Sequence, residues 1–250
     1  MNDEPWYKTL FDDRYLRSYQ SFLSSQDNTL QAGFLFRELR LEPGMRLLDL
    51  CCGQGRLAVP LALRGLRVTG QDLSRQLLDE AARAAREAGV AIELIERDMR
   101  DVHGAGDFDA AINMFTAFGY FDDDAENFRV LEGVSRALKP GGGFCIEILS
   151  YAWLMRHWVT QGWMEGDGGL ITTDLRKMDW RRGVQTTERT LIERDGSRRT
   201  ISIRLRLFPS HELVEWLRRA GLETESLFGN FDGSPYNAES PRLLIVARKK

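Results

Sequence analysis

The stretch Leu47-Leu48-Asp49-Leu50-Cys51-Cys52-Gly53-Gln54-Gly55-Arg56 constrains this chain more than any other. An apolar run interrupted by one acid reads as a buried parallel strand, and the Gly53-Gln54-Gly55 step lets the backbone turn tightly into a helix. Backbone N–H groups and a helix N-terminus at such a turn can receive an anionic ligand group, while Asp49 at the strand end can order the loop through backbone hydrogen bonds. The pattern announces a nucleotide-binding βα unit. A lone Gly-x-Gly fits several nucleotides, so the remaining residues must choose among them.

Downstream, short β runs alternate with helical runs: 46–50, 56–63, 67–71, 74–88, 91–95, 108–114, 123–138 and 143–149. Such alternation predicts a parallel sheet covered by helices on both faces. Ser74 is placed to cap the 74–88 helix, which Gly89 ends. Upstream, residues 5–41 carry apolar positions at helical spacing (Leu10, Phe11, Tyr15, Leu16, Tyr19; then Leu30, Phe34, Leu35, Leu39), with Asp27 or Asn28 as the expected cap of the second helix.

After Ser150 the pattern changes. Tryptophans and glycines crowd residues 153–180, and Asp195-Gly196 joins two β runs as a hairpin turn, with Ile201, Ile203, Leu205 and Leu207 on one face. A helix over 209–220, with Ser210 as its expected cap, and β runs 223–228 and 242–247 complete the chain. The expected organisation is one domain: an N-terminal helical lid (1–42), a cofactor-binding core (43–150), a cap with a β-hairpin insertion (151–208) and a C-terminal completion of the sheet (209–250).

With 34 basic against 37 acidic residues in 250, the formal net charge is -3, which gives no global attraction to nucleic acid or to an anionic membrane. No run approaches the roughly 20 apolar residues of a membrane span. Three cysteines, two of them adjacent and none in a metal-ligand spacing with histidine, predict reduced thiols, a cytoplasmic chain and no bound metal.

Two nucleotides remain in competition. The run from Gly53 to Ala58 fits G-x-G-x-x-A, and Asp72 follows Gly53 by 19 residues, close to the roughly 20 of a dinucleotide fold, so an NAD-dependent oxidoreductase is one reading. The wider set of residues resembles the class I S-adenosylmethionine-dependent methyltransferases, whose first motif is (D/E)-x-G-x-G-x-G. Asp49, Gly53 and Gly55 match it, and Cys51 stands where the family has glycine. A cysteine is expected to take an ordinary φ there. The resemblance places Asp72, with Leu73 beside it, at the ribose hydroxyls, Asp98 and Met99 at the adenine, and Asn113 at the methionine end of S-adenosylmethionine. It covers roughly residues 47–149, through the turn Lys139-Pro140-Gly141-Gly142. It implies a Rossmann-like seven-stranded sheet, mostly parallel with an antiparallel last strand, in a branch that methylates small molecules such as sugar amines.

In that reading a methyl group passes in line to N or O of a small-molecule acceptor, and alignment with exclusion of water does most of the work. Asn113 is followed by Met114-Phe115-Thr116 rather than by the Pro-Pro-Tyr of base-amino DNA methyltransferases, which argues against a nucleic-acid acceptor. Tyr15, Glu147 and His157 are the catalytic candidates; Tyr19, Phe115, Phe118, Tyr120, Tyr151 and Trp153 are the candidates for lining the acceptor site. The basic residues of the hairpin, among them Arg176, Arg199 and Arg206, suit a solvated sheet face, an acidic substrate or a partner chain. A homodimer through the hairpin is compatible with the pattern and not dictated by it. A non-catalytic binding protein of the same fold is the remaining alternative.

Overall fold

A computed structural model describes residues 5–19 and 25–250; residues 1–4 and 20–24 of the expected helical lid lie outside the described residues. Helices α1 (Trp6–Thr9), α2 (Asp13–Tyr19) and α3 (Ser25–Glu38) precede the core, which runs β1 (Arg46–Leu50), α4 (Ala58–Leu63), β2 (Arg67–Asp72), α5 (Arg75–Glu87), β3 (Glu93–Glu96), β4 (Phe108–Asn113), α6 (Asp124–Ala137) and β5 (Leu138–Leu149). Helix α7 (Tyr151–Arg156) leads to β6 (Gln161–Glu165), β7 (Ile171–Asp179), β8 (Val184–Ile192) and β9 (Arg198–Arg206). Helix α8 (Ser210–Arg219), β10 (Leu222–Phe228) and β11 (Arg242–Lys249) close the chain.

Seven strands form one sheet in the order β10-β11-β5-β4-β1-β2-β3. The last strand, β11, is antiparallel to both β5 and β10, while β1 runs parallel to β2 and β4. Alternation along β1 separates two cores. Leu48 and Leu50 pack with α6 and α8 through Val130, Leu131, Leu213 and Leu217, whereas Leu47 packs with α3 and α4 through Phe34, Leu35, Ala58 and Leu61. Burial on both faces explains why these strands are almost continuously apolar. The strand order reverses between β1 and β4, and the carboxyl ends at such a switch point are where open α/β sheets leave a crevice.

The insertion is larger than a hairpin. Strands β6 to β9 make a separate four-stranded antiparallel sheet, in which β6 and β7 add to the expected β8–β9 pair. The two added strands are short or carry charge on alternate positions, which hides them from a search for apolar runs.

Two cap expectations fail. Asp27 and Asn28 lie inside α3 rather than before it, and Pro209, with no side-chain cap, precedes the helix that begins at Ser210. Ser74 does cap α5, its hydroxyl accepting the Leu77 N–H at 3.3 Å and donating to the Phe11 carbonyl at 3.0 Å. That second bond ties the N-terminal segment to the rim of the sheet.

Candidate active site

Strands β1, β2, β3 and β4 end at one cavity. Asp49, Cys51, Gly53, Asp72, Leu73, Asp98 and Met99 all line it, so the strand ends bring these sequence-selected residues together. The loop geometry is set by two hydrogen bonds to one side chain: the Asp72 carboxylate accepts the Gly53 N–H at 2.9 Å and the Ser74 N–H at 2.8 Å. Asp72 thus fastens the glycine loop to the end of β2. Gly53 and Gly55 have φ of 53° and 78°, and a side chain at Gly55 would begin 3.1 Å from the Ala81 Cβ, so glycine also permits close approach of the loop to α5.

Cys51 departs from the expectation stated above. Its φ is 63°, so it adopts the left-handed conformation that the family glycine would take. Its backbone N–H and that of Cys52 both donate to the Gln71 carbonyl, at 2.7 and 3.1 Å, and this pairing dictates the turn. The thiol rests 3.6 Å from the Met99 sulfur, and burial keeps it protonated by raising its pKa well above the usual range.

The three acids differ electrostatically. Burial pushes Asp49 up to about 7, with Arg56 opposing the shift and Asp72 adding to it. Burial raises Asp72 as well, against the pull of the N–H groups of Ser74, Gly53 and Leu73. Burial acts the same way on Asp98, but there the Arg100 guanidinium at 2.7 Å and the Arg100 N–H at 2.9 Å win and hold the carboxyl below its ordinary range. The cavity therefore offers carboxylate acceptors that the protein itself does not neutralise fully, beside the apolar faces of Met99 and Phe121. Hydroxyl and amine donors on a nucleoside with an apolar ring fit such a cradle.

Arg56, which directly follows the glycine loop and was not among the selected site residues, also lines the cavity. It is held at 2.7 Å by the Gln31 side chain and at 2.9 Å by the Asn28 side chain, and its guanidinium lies 5.5 Å from the centre of the Phe115 ring. It is a cation of the right kind to meet a ligand carboxylate. Tyr7 on α1 and Phe11, between α1 and α2, close the same cavity.

A second cavity lies between the N-terminal segment, the loop after β4 and the inner face of the four-stranded sheet. Phe11, Tyr15, Phe115 and Tyr120 line both cavities, so the two adjoin across an aromatic wall. Tyr15 packs on Phe11 and on Tyr19 with ring centres 4.9 Å apart in each case, and Tyr19 meets Phe115 edge-on at 5.8 Å. Burial raises the Tyr15 phenol far above its ordinary pKa, so near neutral pH it is a hydrogen-bond donor and not a base.

Several selected residues fall elsewhere. Asn113 is buried and donates its amide nitrogen to the Leu50 and Ala117 carbonyls, at 3.0 and 3.4 Å. Gly55 shapes the loop without lining the cavity. Phe118 is in the core against Phe208, with ring centres 5.2 Å apart. Tyr151, Trp153 and His157 line neither cavity; His157 stacks on Trp153 at 4.5 Å and is exposed. Glu147 is buried and holds the backbone of the loop after β4, with Phe115 N–H at 2.8 Å and Arg242 at 3.1 Å. It faces no open space in either cavity.

An open α/β sheet with the antiparallel β11 between β5 and β10, and with acids at the ends of β1, β2 and β3 around one cavity, has the layout of a nucleoside-binding protein. Residues 47–142 match the family described as a methyltransferase domain. The chain is 30% identical over 223 residues to the cypemycin N-terminal methyltransferase of a Streptomyces species, covering 83% of this chain and 84% of that protein. Among solved structures it resembles the CcbJ methyltransferase of Streptomyces caelestis, with a TM-score of 0.78 at 22% identity over 90% of this chain and 95% of that one. It also resembles S-adenosylmethionine-bound CalS10, an amino pentose methyltransferase of Micromonospora echinaspora, with a TM-score of 0.69 at 22% identity over 94% and 96%. The chain belongs to the S-adenosylmethionine-dependent methyltransferase family. The NAD reading is set aside by this membership. No helix among the described residues is long and apolar enough to cross a membrane.

Proposed function

We propose that the chain transfers a methyl group, in line, from S-adenosylmethionine in the first cavity to a nitrogen or oxygen of a small-molecule acceptor in the second. The observation that carries this reading is the shared wall of Phe11, Tyr15, Phe115 and Tyr120, across which a donor and an acceptor could face one another. Asp72, Asp98 and Met99 are assigned to the nucleoside, and Asp49, the loop N–H groups and Arg56 to the amino acid end. S-adenosylmethionine supplies an electrophilic sulfonium methyl when bound.

The protein's own contribution is alignment and exclusion of water. The aromatic wall orients the acceptor and keeps water from competing with it. An amine acceptor that arrives unprotonated attacks with its lone pair and loses its proton to water afterwards, so no protein base is needed.

Incubation with methyl-labelled S-adenosylmethionine and a fractionated small-molecule extract tests the reading. Label is expected in a low-mass product, with no transfer when the extract is omitted. Label found only in protein or nucleic acid fractions would contradict it.

A further inference from the structure

The inner face of the four-stranded sheet carries a polar cluster that faces the second cavity. Asp174 on β7 lies opposite Arg189 on β8, and Arg176 lies opposite Thr187. Gln185 continues the row two positions further along β8, and Ile201, Ile203 and Leu205 flank it on β9. Asp174, Arg176, Gln185, Thr187 and Arg189 all line the cavity. None of them lines the first cavity, so this wall belongs to the acceptor side alone.

The cluster is not balanced in charge. The Asp174 carboxylate, only 7% exposed, receives Arg189 through Nε at 2.8 Å and Nη2 at 2.8 Å, and also Arg176 through Nη2 at 2.7 Å. Arg189 gives its third nitrogen to the Tyr19 hydroxyl at 2.7 Å. One carboxylate therefore faces two guanidinium groups, and among the described residues no other carboxylate lines this cavity. A surplus of one positive charge remains, with donors on Arg176 that make no bond within the cluster. An arginine fork presents several donors in a plane that matches a carboxylate.

Gln185 is unbalanced in a second, independent way. Its amide nitrogen donates to the Thr187 hydroxyl at 2.9 Å, while its buried Oε1 has no hydrogen-bond partner among the described residues. Reversing the amide would satisfy the oxygen through the Thr187 hydroxyl and leave the nitrogen unpaired instead. In either orientation one end of this amide lacks a partner, and it is the reversed amide, with Nε2 unpaired, that would offer a donor to an anion.

We infer that the methyl acceptor is a monoanion, carrying a carboxylate that binds the Arg176–Arg189 pair beside Gln185, with an apolar body lying against the aromatic wall. The surplus of one charge favours a carboxylate over a phosphate dianion. This deepens the methyltransferase reading and rests on it. Arg176 and Gln185 are specificity residues for the acceptor, and Asp174 is the positioning residue that holds both arginines in the sheet face. A neutral amide of the same shape lacks the charge and presents donors to a surface already rich in donors.

Calorimetry on the full chain saturated with S-adenosylhomocysteine tests this, with benzoate and 3-phenylpropionate as probes and benzamide and 3-phenylpropionamide as their neutral counterparts. Each carboxylate is expected to bind at least tenfold more tightly than its amide. Arg176→Gln is expected to remove that preference while leaving S-adenosylhomocysteine affinity within twofold of the parent. In Arg176→Gln the buried Asp174 keeps both of its bonds to Arg189, and Gln185→Ala, which leaves both arginines in place, is expected to weaken carboxylates by a smaller factor. Equal affinity for carboxylate and amide, no carboxylate binding at all, or an unchanged preference in Arg176→Gln would each overturn the inference. Failure of the wild type to bind S-adenosylhomocysteine in the same cell would instead overturn the methyltransferase reading beneath it.

Discussion

The Oε2 atom of Glu147 accepts the Phe115 N–H at 2.8 Å, and the Glu147 carbonyl accepts the neighbouring Thr116 N–H at 3.1 Å. Phe115 and Thr116 have φ of 62° and 57°, two consecutive side-chain-bearing residues in the left-handed region. Such backbone persists only where its surroundings over-determine it. Here the determinant is a buried acid on β5, paired through its other oxygen with Arg242, and the result is a Phe115 ring that lines both cavities.

Removing that acid should be costly. Glu147→Ala removes a buried acid, leaving the Phe115 N–H and Arg242 without their partner, and is expected to destabilise the chain by about 2–4 kcal/mol in urea denaturation. Glu147→Gln keeps an acceptor for that N–H and should cost roughly half as much. Equal losses in the two variants would show that the pairing with Arg242, not the hold on the loop, is what matters.

Cys51 gives a second prediction from backbone geometry. A left-handed φ costs an ordinary residue about 1–2 kcal/mol and a β-branched one more. Cys51→Val should therefore destabilise by about 2 kcal/mol or more. Cys51→Gly should stay within roughly 1 kcal/mol of the parent, because relief of strain is offset by the added freedom of the unfolded chain. Thermal denaturation of the two variants reads the difference. A valine tolerated as well as glycine would mean that the loop has another conformation.

The buried acid Asp49 ties stability to pH. In the folded chain without ligand its pKa is pushed up to about 7, against about 4 when unfolded. The folded state holds more protons between those values. The resulting contribution is fully present below about pH 4, declines as pH rises through that window and is gone above about pH 7. Asp72 is shifted upward too and acts in the same sense. Asp49→Asn should flatten part of the decline in urea midpoint from about pH 5 to pH 7.5. A profile identical to the parent would place the Asp49 titration outside that window.

The cofactor side of this site is legible in the chain because it consists of strand ends. Asp49, Asp72 and Asp98 close three successive β runs, and parallel topology brings such ends to one rim. The acceptor side is harder to read. Asp174 and Arg189 meet only through the β7–β8 register, and nothing in a run of alternating polar residues announces which face turns inward. Glu147 stands out in the sequence as an acid in an apolar strand, but its partners, Arg242 and the Phe115 N–H, are set by a strand 95 residues away and by backbone strain. Cys51 misleads because an ordinary φ is the default for any cysteine, whereas here two N–H bonds to Gln71 dictate the turn. Asn113 ends β4 and Phe118 follows it, as the lining residue Phe115 does, and only the local backbone direction sends the first two into the core.

The central claim, a methyl donor held by the acids of the sheet rim, is tested most directly by titrating S-adenosylhomocysteine into the parent and Asp72→Ala. Asp72 already accepts two loop N–H groups, and a carboxylate has lone pairs left for ribose hydroxyls. The account predicts one site in the parent and a loss of about 1–3 kcal/mol, roughly 5- to 150-fold, in Asp72→Ala. Unchanged affinity in a folded Asp72→Ala would contradict it and leave Asp72 as no more than the clasp of the glycine loop.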